Sequence, residues 1–167
     1  MEVNKAVIVV INVSIILAIN FIDFSAGTLP RELFLSERVE QVVFFMICCI
    51  CFLGGTIQMI KGDPHLPEVD NIHRFLGGVY FSYGLIAFWT AKTIQTQSTL
   101  VYIGSVGVFL GAFGRLISMR EFGIPKPAAL WLSYFGSEII FPLILLFAQL
   151  STDAQRQALE IGAPLKK

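Results

Sequence analysis

Residues 41–60 read QVVFFMICCICFLGGTIQMI, twenty positions without a single charge. At a rise of about 1.5 Å per residue, a helix of that length covers about 30 Å, the thickness of a bilayer's hydrocarbon core. The run has company. Residues 6–22, 75–91 and 93–114 are also uncharged, and 127–152 is interrupted only by Glu138. The 167-residue chain is 55% hydrophobic and 14% charged, with a mean hydropathy of +0.73. A soluble domain carries about 25% charged residues. This chain cannot supply such a coat, which argues against a soluble enzyme, a nucleic-acid binder or a disordered chain.

The expectation is an all-α fold: a polytopic transmembrane bundle forming one domain over 1–167. Its five spans fall at about 6–23, 41–60, 72–91, 99–119 and 128–149, a four-helix core plus an N-terminal helix. The first run follows Lys5 and precedes Ser25-Ala26-Gly27, which would also suit a signal peptide; we read it as a retained span. Twelve Lys and Arg balance twelve Asp and Glu, and the cations divide six and six across the expected topology. The positive-inside rule is therefore silent on orientation. In the first loop, Pro30 and Leu33-Phe34-Leu35 suggest an interfacial helix, with Ser36 capping the next span. Asn71 would cap the third span, and the Gln-rich tail after Ser151 reads as a short exposed helix.

Ionisable residues inside a span are the best pointers to function, because each is costly unless paired. Arg115 and Glu138 stand out, on spans joined by a short loop that makes them neighbours. With Arg74, His73 and Tyr80 they form the candidate polar cluster, either structural or ligand-binding. Gly104, Gly107, Gly111 and Gly114 line one helix face, with Ser118 continuing it, and Gly77 and Gly78 add a second small-residue surface. Such faces let membrane helices approach closely. Asp63, His65, Glu68, Asp70 and His73 have metal-ligand chemistry but match no spacing motif, so no metal and no cofactor are expected. Cys48, Cys49 and Cys51 lie mid-span and read as packing residues, while Trp89 and Trp131 sit where interfacial anchors belong.

The segments Asn71-Ile-His-Arg-Phe-Leu-Gly-Gly-Val-Tyr80, Gly111-Ala-Phe-Gly-Arg115 and Ser137-Glu138 with Pro142 carry a resemblance. Over about residues 42–149 the chain resembles a bacterial family of small four-helix integral membrane proteins of unknown function. The resemblance implies a four-helix core with Arg74, Gly77, Gly78, Tyr80, Gly114, Arg115 and Glu138 as signature positions, and a multi-pass place in a bacterial inner membrane. It implies no activity.

Three functions fit. The first is a non-enzymatic accessory or interaction subunit of a membrane assembly, whose partners are membrane lipids, other membrane subunits or a second copy. The second is a binder or carrier of a lipid, quinone or other apolar molecule, with Arg115 and Glu138 at its polar end. The third is a membrane-embedded enzyme using the His and carboxylates of the second loop. No nucleic-acid partner is expected.

Overall fold

A computed structural model describes residues 32–62 and 66–162. The described residues form four α-helices: α1 (Leu35–Lys61), α2 (Pro67–Lys92), α3 (Ser98–Phe122) and α4 (Ala128–Glu160). A 3-10 turn, Ile94–Thr96, joins α2 to α3, and no strand occurs among the described residues.

Local chemistry sets the helix ends. The Phe34 backbone N–H donates to Glu37 Oε2 at 2.9 Å, and Arg38 N–H donates to the Phe34 carbonyl at 3.0 Å. Glu37 thus reaches back over the first turn as the acid of a capping box does. Ser36, expected as the cap, lies inside the helix, because Glu37 already holds the free donor. At the other end Gly62 takes φ 56°, and its N–H closes onto the Gln58 carbonyl at 3.0 Å. A side chain there would be strained and would collide with Asp70. Helix α2 opens on Pro67, whose missing N–H costs nothing in the first turn. Asn71, expected as its cap, is therefore already helical.

Three helices, α1, α3 and α4, are long and apolar enough to cross a membrane. Five spans were expected. The first, at 6–23, lies outside the described residues. The third is present as α2, but its charged first turns and its Gly, Tyr, Ser and Trp content dilute its apolar character. The tail after Ser151 is helical, as expected, but it is a continuation of α4, which runs unbroken for 33 residues to Glu160 and buries Thr152. The helix passes through Pro142, which leaves the Glu138 carbonyl without its usual intrahelical donor.

The chain divides into two compact units, and α1 contributes to both. Residues Met46–Thr93 form one. Here α1 and α2 meet through glycine. A Cβ on Gly55 would stand 2.6 Å from the Gly77 carbonyl oxygen, and one on Gly77 would stand 2.8 Å from that of Gly55. Gly84 takes the Phe52 ring in the same way, and Phe52 meets Phe81 with centroids 4.7 Å apart. Cys48 and Cys51 are buried and Cys49 is exposed, all as free thiols. The second unit comprises Glu32–Phe45 and the chain from Ile94 on, with α3 and α4 packed as a hairpin. Ile94, Val101 and Leu145 are its fully buried apolar residues.

Two alanine substitutions separate tight from open glycines. Gly55→Ala drives a methyl into backbone that cannot rotate away, and thermal unfolding in detergent is expected to show a loss of about 1–3 kcal/mol. Gly114→Ala meets nothing within 4 Å and is expected to leave stability unchanged or slightly raised.

Candidate functional site

Two polar constellations occupy the second unit. One was legible beforehand. Arg115, on α3, donates from Nε to both oxygens of Glu138 on α4, at 2.9 and 2.7 Å. Glu138 is buried and Arg115 half-buried. The guanidinium carbon lies 5.7 Å from the Trp131 ring centroid and 5.6 Å from that of Tyr134. These two rings meet edge to face at 6.2 Å. A cation over aromatic faces gains about 0.5–2 kcal/mol, more as water is excluded. Gly111 lies beside the acid without being required by it: a Cβ there would stand 3.9 Å from the Glu138 carboxyl carbon, an ordinary van der Waals contact. Nη1 and Nη2 of Arg115 have no hydrogen-bond acceptor among the described residues.

The second constellation was missed. Arg156, in the part of α4 expected to be an exposed tail, donates to Glu37 Oε1 at 2.9 Å, to the Gln95 carbonyl at 2.8 Å and to Ser98 Oγ at 2.7 Å. One side chain thereby ties the start of α1, the 3-10 turn and the start of α3 to α4. Two turns earlier, Gln149 Nε2 donates to Asp153 Oδ1 at 2.7 Å and to Ser98 Oγ at 3.1 Å. The Tyr102 hydroxyl donates to Asp153 Oδ2 at 2.8 Å. Thr152 Oγ1 lies 2.9 Å from Glu40 Oε1 and 2.8 Å from Ser36 Oγ. Glu37, Glu40, Gln149 and Thr152 are each 0% exposed. The signal for this cluster was spacing: Glu37 and Glu40 are three apart, and Gln149, Thr152 or Asp153, and Arg156 recur at three and four, so each set shares a helix face.

The remaining expected site residues lie in the first unit. Arg74 donates from Nε to Asp70 at 2.8 Å and from Nη1 to the Met59 carbonyl at 2.6 Å. It caps the last turn of α1, where carbonyls lack intrahelical donors and a cation suits the helix dipole. The Tyr80 ring lies against Gly54, and His73 Nδ1 is buried without a hydrogen-bond partner. Arg74, His73 and Tyr80 thus belong to one unit, Arg115 and Glu138 to the other. Of the expected packing glycines, Gly77 makes the tight approach and Gly104 is buried. Gly78 has only the Met59 sulfur at 4.0 Å. Gly107, Gly111 and Gly114 are exposed, so most of the α3 stripe faces outward within this chain. Of the weak metal candidates, Asp63 and His65 lie outside the described residues. No group of three His, Cys, Asp or Glu able to hold a metal occurs among the described residues; Asp70 is tied to Arg74.

The class these features define is an all-α protein with two buried ion-pair clusters, three of whose helices could each cross a membrane. It belongs to the family described as a domain of unknown function (DUF4345), whose model matches residues 39–149. No curated protein and no solved structure matches the chain. The matched region includes Arg74, Arg115, Glu138, Glu40 and Gln149, and stops short of Thr152 and Arg156.

Arg156→Ala leaves Glu37 buried beside the free ends of three elements. Removing one partner of a buried pair costs about 3–5 kcal/mol. The expected result is a strongly lowered midpoint of thermal unfolding, read by circular dichroism in detergent, whereas Arg120→Ala, at an exposed position, is expected to match the parent.

Proposed function

We propose that this is a multi-pass integral membrane protein that binds an amphipathic membrane molecule, a lipid, quinone or similar compound, with Arg115 at the polar end of the site. One observation carries the reading. Arg115 is oriented by Glu138 through Nε alone, and both terminal nitrogens are left without acceptors among the described residues. A purely structural pair commonly engages the guanidinium through two parallel N–H bonds. Here the Nη groups remain available to a phosphate or carbonyl oxygen, and the Trp131 and Tyr134 rings offer apolar surface beside them. The compartment that fits is a bacterial inner membrane.

The test is purification in mild detergent, followed by mass spectrometry of bound small molecules. Arg115→Gln removes the charge and keeps hydrogen-bonding capacity. Losing a charge-assisted bond of about 1.5–3 kcal/mol corresponds to a roughly tenfold or greater fall in retained ligand. Equal retention by both proteins would sink the reading.

A second reading, an interaction subunit of a membrane assembly, is favoured by the outward-facing Gly107, Gly111, Gly114 and Ser118 on α3. Small residues on an open face suit the close approach of another membrane helix. Gly114→Leu, which fits the open space, is expected to abolish a stoichiometric protein partner in native gels while the chain stays folded. If a partner persists through that change, the stripe is not its contact.

A further inference from the structure

We infer that Glu40 is a proton-binding site: its carboxyl takes a proton on Oε2 within the buried cluster that joins α1 to α4. The starting point is charge. Three carboxyls, of Glu37, Glu40 and Asp153, converge on a single guanidinium, that of Arg156. The groups facing Glu40 are Glu37 from its own helix, Tyr102 from α3, and Asp153 and Arg156 from α4. Arg156 is committed to Glu37 at 2.9 Å. Asp153 accepts from Tyr102 and Gln149, both neutral donors. Glu40 has only the Thr152 hydroxyl, whose single proton is contested by Ser36.

On the α4 face that holds Glu40, the unsatisfied atoms are of one kind. Glu40 Oε2 and Gln149 Oε1 are buried with no hydrogen-bond partner, and both residues are 0% exposed. Both are acceptors. Gln149 lies three residues before Thr152, so it shares the α4 face that holds Glu40. A buried carboxylate without a counter-charge is among the costliest groups a protein can hold, and it neutralises instead. A proton added to Oε2 removes the excess charge and turns one orphan acceptor into a donor, without the space that a metal ion needs.

Position gives the proton a route. Glu40 immediately precedes the uncharged run 41–60, in the charged first turns of α1. The half-buried Arg156 opens the cluster's edge to solvent. The exchange is simple acid–base chemistry: the carboxylate takes a proton from water or buffer at that edge, and returns it there when the cluster opens.

Infrared spectroscopy of the full chain in detergent tests this, with circular dichroism to confirm folding. At neutral pH the parent is expected to show the carbonyl stretch of a protonated carboxyl. It should be absent in Glu40→Gln and kept in Glu37→Gln and Glu138→Gln. Should Glu40→Gln not fold, Glu40→Asp keeps the carboxyl and must move the band. No such band in the parent, or a band indifferent to changes at Glu40, overturns the assignment. So does a sodium-dependent rise in thermal stability that disappears in Glu40→Gln with no band present, since a cation would then hold the site.

Discussion

The Arg156 guanidinium carries more of this architecture than any other group. It is an arginine near the end of a long helix, yet it reaches the opening turns of α1 and α3 and the turn between α2 and α3. Its partners lie 58 to 119 residues away in sequence. Arginine suits the position because its planar fork presents several donors in fixed geometry, and its charge persists on burial. Lysine's three donors radiate from a single nitrogen, whereas here Nη1 serves the hydroxyl and Nη2 the carboxylate and carbonyl. The length of α4 follows from this: the helix continues to Glu160 because its last third is packed against polar partners.

For helices long and apolar enough to cross a membrane, as α1, α3 and α4 are, lipid would supply no hydrophobic drive to associate, and shape and hydrogen bonds would decide contacts. The two units use these differently. Met46–Thr93 relies on shape: reciprocal Gly55 and Gly77 bring two backbones together, and Arg74 closes the end of α1 over its free carbonyls. The unit containing α3 and α4 relies on polar pairs, Arg115 with Glu138 toward one end of the hairpin and the Arg156 cluster at the other. From Ser98 to Arg115 the separation along α3 is about 25 Å. The interval between them is largely apolar.

Much of this was legible in the sequence, for definable reasons. Apolar run length gives helix position directly, which is why 41–60, 99–119 and 128–149 fall inside α1, α3 and α4. Arg115 and Glu138 were legible because charge is rare in such runs and a short turn leaves two helices no choice but to be neighbours. The Arg156 cluster was hidden by the same habit of reading. A polar segment after a span looks like a solvated tail, and its stripe is recognisable only beside the matching Glu37 and Glu40 stripe more than a hundred residues earlier. The glycine stripe on α3 is a different case. Its spacing is that of a packing face, but spacing carries no information about which neighbour is present; Gly104 is buried, Gly107, Gly111 and Gly114 are exposed, and a tight backbone approach is seen at Gly55 and Gly77.

The two ends of the α3–α4 hairpin differ in the kind of polar group they leave unpaired. At Arg115 the unmet groups are donors, two terminal nitrogens without acceptors among the described residues. Around Glu40 and Gln149 they are acceptors, two oxygens without donors. Donors beside aromatic rings suit a negatively polarised head attached to an apolar body, something the size of a membrane molecule. Acceptors shut inside a buried cluster suit the smallest donor there is, a proton. Leaving the Glu40 and Gln149 oxygens buried and unpaired costs folding free energy, whereas the half-buried Arg115 keeps its terminal nitrogens within reach of solvent or a ligand.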